Sequence, residues 1–220
     1  MTPLCAIINL SLSEGVFPSL LKEANICPIF KKGDKFKCEN YRPISLLSNV
    51  SKIFERIMYN RLENFLNETS QLYELQFGFR KRYSTNHALL SITEKIRESM
   101  DNKLFSCGVF IDLEKAFDTV NHDILLGKLE YYGIRGIANL WFKSYLSNRS
   151  QSVIINGECS SKEIITCGVP QGSILGPLLF LLYINDMYLS VNSSTVYHFA
   201  DDTNLFLSSK SLKGLRKLMN

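Results

Sequence analysis

The sequence predicts an α+β protein, and three observations carry that expectation. Between Val50 and Phe65 the apolar residues Val50, Ile53, Phe54, Ile57, Met58, Leu62 and Phe65 recur at three and four, the period of an amphipathic helix. Cys107-Gly108-Val109-Phe110-Ile111 is an unbroken apolar run ending at Asp112, as expected of a buried central strand that presents a carboxylate at its end. Thr195 to Ala200 and Thr203 to Leu207 flank Asp201-Asp202 as strand, two-residue turn and strand. Helices mixed with short antiparallel strands give the α+β class.

The other elements follow in order. The stretch to about Leu21 carries scattered apolar residues and a turn-like break at Gly15-Val16-Phe17-Pro18. Ala24 to Phe30 reads as a short strand, followed by the charged turn Lys31-Lys32-Gly33-Asp34. Ser48 or Asn49 caps the amphipathic helix. A second helix is predicted over Thr85 to Met100, a third over Asp123 to Tyr132 ending at Gly133, and a fourth over Ile137 to Leu146 with Trp141 on its apolar side. Gln151 to Asn156 and Lys162 to Thr166 read as a hairpin through Asn156-Gly157. Ile174 to Ile184 is a buried helix, and Lys210 to Met219 begins another.

With 220 residues and 45% hydrophobic composition, the chain can bury one large core or form two small lobes that share one. The net charge of +4 is unevenly spread: nine Lys/Arg lie between Lys22 and Arg61 against four acids, and Arg80-Lys81-Arg82 follows. Such a patch suits a polyanion, although a solvated surface has the same composition. The six cysteines show neither a C-x-x-C pair nor finger-like spacing, which argues against zinc, and Cys107 reads as core. No secretory signal is visible, so an intracellular protein with reduced thiols is expected. The longest apolar stretch is interrupted by Gly176-Pro177 and is too short to span a bilayer, so no membrane partner is expected.

Asp201-Asp202 is the first point that carries chemistry. Asp suits tight turns, but a turn between two apolar strands crowds two negative charges at the edge of a core, which is costly unless a cation binds. Asp112 can bring a third carboxylate to the same place. Three Asp are hard oxygen ligands suited to Mg²⁺, and two such ions about 3.5–4 Å apart stabilise the attacking and leaving oxygens of phosphoryl transfer. Residue chemistry alone reaches a metal-dependent phosphoryl-transfer enzyme and stops there.

A resemblance carries the reading further. Phe110-Ile-Asp112-Leu-Glu-Lys-Ala-Phe117-Asp118 resembles the first palm motif of reverse transcriptases from non-LTR (LINE-like, jockey-type) retrotransposons. Gly168-Val-Pro-Gln-Gly-Ser173 resembles their second motif and Phe199-Ala-Asp-Asp202 their third, in matching order and separation. Pro28 to Asp34, Asn40 to Ser45, and Gln76-Phe-Gly-Phe-Arg80 with Ser84-Thr85 resemble the family's fingers; Trp141 to Leu146, Arg149 and Gln151 fit as well. The similarity covers nearly the whole chain. It implies right-hand polymerase fingers (1–104) and palm (105–220), with an antiparallel palm sheet packed on helices. The family's palm lysine motif, primer grip and thumb would come after Asn220, so the thumb is missing and a truncated, non-catalytic nucleic-acid-binding remnant is the alternative reading.

The resemblance also implies roles. Asp112, Asp201 and Asp202 would be the catalytic carboxylates and hold two Mg²⁺ ions, with Mn²⁺ as a substitute. Phe117 would be the sugar gate that excludes a ribose 2′-hydroxyl; the plain alternative is a core aromatic. Gln171 and Gly172 would floor the nucleotide pocket, where glycine allows close backbone approach. Arg42, with Lys31 or Lys32, would hold the triphosphate, the Arg fork matching phosphate oxygens better than an ammonium. Asp118 reads as structural, a cap for the next helix. The partners implied are an RNA template, a DNA primer and dNTPs, with action in the nucleus. RNA-copying RNA polymerases and group II intron-type enzymes share the palm, but Phe117 and the Gln76–Arg80 segment argue against them, and a nuclease leaves Pro170-Gln171-Gly172 unexplained.

Overall fold

A computed structural model of the chain describes residues 2–191 and 193–219. The first elements are α1 (Pro3–Glu14), β1 (Glu23–Phe30), β2 (Tyr41–Leu46), α2 (Asn49–Glu68) and α3 (Thr85–Asp101). Then come β3 (Phe105–Ile111), α4 (His122–Tyr131), α5 (Ile137–Leu146), β4 (Arg149–Ile155), β5 (Glu158–Cys159) and β6 (Glu163–Ile165). The chain continues through α6 (Gly176–Ile184), β7 (Thr195–Phe199), β8 (Asp202–Ser209) and α7 (Leu212–Met219). They pack as two compact units, each made of two stretches of chain: residues up to Thr69 with Phe117–Tyr183, and Ser70–Ala116 with the segment from Ile184 onward.

The first unit holds a mixed sheet in the order β2-β1-β4-β5, with β6 on the other half of β4. β1 runs antiparallel to β2 and parallel to β4. α2 buries Phe54, Met58, Leu62 and Leu66, one per turn, and Ser48 caps it by accepting the Ser51 N–H at 3.1 Å. Phe17 packs edge-on against Trp141 and Tyr145 of α5, whose rings stack 5.6 Å apart. The Trp141 indole N–H donates to Ser11 Oγ of α1 at 3.1 Å. α1 itself was not legible: its outward face keeps Leu4, Ile7 and Leu10 exposed, so no polar side marks a helical period. Asn156 and Gly157, both at positive φ, make the expected tight turn, but it joins β4 to β5, and the 163–165 segment pairs instead with the start of β4. Asp118 does not cap α4; Asn121 does, accepting the Ile124 N–H at 3.1 Å.

The second unit is the antiparallel sheet β3-β8-β7 with α3 and α7. Its core is Phe77, Tyr197 and Phe206, packed by Leu75, Ala88, Ile92 and Phe199. β3 corrects the expectation of a buried central strand: it is the edge of this sheet, Phe110 is 80% exposed, and Cys107 is only half-buried. An apolar run cannot by itself distinguish a core strand from an apolar edge. Among the described residues no helix is long and apolar enough to cross a membrane.

Candidate active site

The three candidate carboxylates, Asp112, Asp201 and Asp202, all belong to the second unit. β3 pairs with β8 through Ile111↔Thr203, so Asp112 follows one step beyond that pair, at the sheet end where β8 begins with Asp202. β7 and β8 close at Phe199↔Asp202. The turn is therefore Ala200-Asp201, one residue earlier than expected, and Ala200 takes the left-handed conformation at φ +58°. Asp112 and Asp202 are exposed and Asp201 is half-buried. The Asp202 carboxyl is pushed above its ordinary range, first by partial loss of water and then by the charges of Asp201 and Asp112. Asp202 thus feels the charges of the other two. Among the described residues no three His, Cys, Asp or Glu side chains are gathered into a metal cage. The donor set still fits a hard divalent cation: its oxygens share one sheet end, their mutual repulsion is what a cation relieves, and Mg²⁺ keeps waters and takes substrate phosphates rather than demanding an all-protein cage.

Beneath the turn lies a contact that spacing did not reveal. The Gln76 side chain is 3% exposed; its Oε1 accepts the Gly78 N–H (2.8 Å) and the Ala200 N–H (3.1 Å), and its Nε2 donates to the Ala200 carbonyl (3.5 Å). The Phe77 N–H donates to the His198 carbonyl and the His198 N–H to the Leu75 carbonyl, a short parallel bridge beside β7. A Cβ on Gly78 would meet the Ala200 nitrogen at 2.1 Å, so only glycine fits there. The resemblance of Gln76–Arg80 to a family motif was the only signal of this role. Arg80 turns inward, donating to the Tyr73 and Gln76 carbonyls and lying over the Tyr83 ring, so it departs from the solvated basic cluster.

The remaining candidates belong to the first unit. Arg42, on β2 opposite Ile29, is exposed, as are Lys31 and Lys32 just past β1. The Ser45 N–H of the same strand β2 donates to the Gln171 carbonyl at 2.7 Å, and a Cβ on Gly172 (φ +109°) would meet the Ser45 carbonyl oxygen at 2.8 Å. Glycine is required at 172 on both counts. Gln171 Oε1 is buried without a hydrogen-bond partner, an acceptor that a ligand can satisfy. The Val169 N–H donates to the Phe117 carbonyl (2.8 Å), and the Phe117 ring stacks on Phe180 at 4.7 Å. Gly168 lies against the Asp118 backbone, and the His122 Nε2–H donates to its carbonyl at 2.7 Å. Phe117 and the Gly168–Ser173 loop are thus brought together, and the loop is joined to β2.

The reverse transcriptase (RNA-dependent DNA polymerase) family profile matches residues 29–220. The chain is 38% identical over 213 residues to the probable RNA-directed DNA polymerase from transposon BS of Drosophila melanogaster, covering 94% of this chain and 22% of that protein. It is 36% identical over 217 residues to the RNA-directed DNA polymerase from mobile element jockey of the same fly, covering 95% and 24%. The chain therefore spans less than a quarter of the length of these relatives. Among solved structures, apo telomerase from Candida tropicalis truncated from its C-terminal domain matches with TM-score 0.64 at 14% identity, over 93% of this chain and 47% of that one. Telomerase from Candida albicans in complex with a TWJ fragment of telomeric RNA matches with TM-score 0.61 at 14% identity, over 93% and 41%. At that identity the likeness speaks for the fold, and it agrees with the α+β architecture. By its sequence motifs and this family match, the chain belongs to the reverse transcriptase (RNA-dependent DNA polymerase) family, with relatives among non-LTR retrotransposons.

Proposed function

We propose that this chain carries the nucleotidyl-transfer centre of an RNA-directed DNA polymerase, with Asp112, Asp201 and Asp202 as its catalytic carboxylates. The sheet register supports the assignment most directly: the Ile111↔Thr203 and Phe199↔Asp202 pairs bring all three to one end of one sheet. Reverse transcriptases work with divalent metal ions, and Mg²⁺ fits these hard oxygen donors. Two such ions would be held by Asp112, Asp201 and Asp202, and would supply a lowered pKa for the attacking hydroxyl and charge stabilisation for the departing pyrophosphate.

The chain's own residues bind and orient. A primer 3′-hydroxyl, giving up its proton to water, attacks the α-phosphate of a dNTP paired to an RNA template; the new P–O bond forms as the bond to pyrophosphate breaks. Arg42, with Lys31 or Lys32, neutralises the triphosphate. The Gln171 amide bonds the sugar or base, supported by its unsatisfied Oε1. Phe117, braced by Phe180, stands against a 2′-hydroxyl. The division into fingers (1–104) and palm (105–220) belongs to this proposal, as do the DNA primer and action in the nucleus.

The test is primer extension on an RNA template with Mg²⁺, comparing the native chain with D201N. The expected result is incorporation that D201N abolishes while the fold is retained. Equal turnover in both overturns the assignment, and duplex binding with no incorporation by the native chain favours a non-catalytic remnant.

A further inference from the structure

We infer that Gln76 is a positioning residue for the Asp201-Asp202 pair, acting through the backbone of Ala200. The inference rests on the reading of those aspartates as metal-holding groups. One buried side chain engages both polar groups of Ala200: Oε1 takes its N–H and Nε2 reaches its carbonyl. Ala200 sits at φ +58°, a left-handed conformation that a residue with a Cβ adopts only at a cost. Gln76 is the side chain that bonds both polar groups of Ala200 in that conformation. Its own place is set twice over: Oε1 also accepts the Gly78 N–H, and the Leu75–Phe77 backbone is bridged to His198. Gly78 brings its backbone into direct contact with Phe199 and Ala200, where no Cβ fits. Asp201 follows Ala200 in the chain and Asp202 opens β8, so the Ala200 dihedrals set where both carboxylates leave the backbone. Residues that orient a metal ligand without touching the metal change the affinity for the metal.

The experiment measures Mn²⁺ binding to the full chain by the EPR signal of free Mn²⁺, on variants first shown to be folded by thermal melting. Gln76→Met, which matches the shape and removes all three hydrogen bonds, is expected to weaken Mn²⁺ binding about ten-fold. In an A200G background the same change is expected to weaken it only about three-fold, because glycine takes the left-handed turn without the Cβ penalty. A general loosening of the fold would not be relieved at residue 200. Should Gln76→Met not fold alone, the A200G background carries the test. Unchanged affinity in whichever background folds overturns the inference, as does an equal loss in both. The control is D201N, expected to abolish the binding. If D201N binds as the native chain does, the metal-site reading falls and this inference with it. If D201N loses Mn²⁺ while Gln76→Met keeps it, only the positioning role falls.

Discussion

The Ile174 N–H donates to Glu55 Oε2 at 2.6 Å, so a fully buried carboxylate of α2 holds the chain entering α6, the helix that follows Pro170-Gln171-Gly172. Its other oxygen accepts from Ser51 Oγ and the Tyr145 hydroxyl. Burial pushes the Glu55 carboxyl up, and the Ile174 N–H and Arg149, itself 1% exposed, pull it back. Truncating one member of such a network leaves the others buried and unpaired. Glu55→Ala is therefore expected to cost about 3–5 kcal/mol in urea unfolding. Glu55→Gln keeps an acceptor for Ile174 but leaves the buried Arg149 guanidinium without a counter-charge, so it should recover only part of that loss.

Phe117 makes a separate prediction about sugar choice. Its ring is braced by Phe180 and its carbonyl by the Val169 N–H, so it cannot easily swing away from a bulkier sugar. Phe117→Ala should lower the preference for dNTP over rNTP by about ten-fold or more, chiefly by improving rNTP use. Competition between the two nucleotide types in primer extension reads this, and an unchanged ratio returns Phe117 to a packing role.

Arg42, Lys31 and Lys32 are distinguished by geometry of contact. If Arg42 grips phosphate oxygens in a bidentate way, Arg42→Lys should raise the KM for dNTP about ten-fold, nearly as much as Arg42→Ala. Of Lys31→Ala and Lys32→Ala, one is expected to raise KM and the other to act only on duplex binding, with a shallower salt dependence.

His198 sets a pH limit on the second unit. It is 1% exposed, bonded through Nδ1 to Thr203 Oγ1, and burial pushes its pKa down from 6.5 to about 4. Between those values the unfolded chain carries a proton that the folded chain refuses. Stability is therefore full above pH 6.5 and falls as pH drops toward 4, by about 3 kcal/mol over the whole window. His198→Gln should flatten that part of the stability curve in urea melts at stepped pH; an unaltered slope would assign the acid loss to other groups.

Local pattern in the sequence determines much of this protein. The helices at 49–68, 85–101 and 137–146 follow from three-and-four spacing, the cap is legible as Ser48 or Asn49 and is Ser48, and the order of the three palm-like motifs points to the family. These signals survive in sequence because each depends on residues within a few positions of one another. Tertiary structure alone decided what those elements meet. It made β3 an edge, moved the turn to Ala200-Asp201, set Gln76 beneath it and closed Glu55 on Ile174. Residues 124 and 119 positions apart form the last two pairs, and no period links them. A buried N–H must find an acceptor somewhere, and which side chain supplies it is settled only when the elements pack.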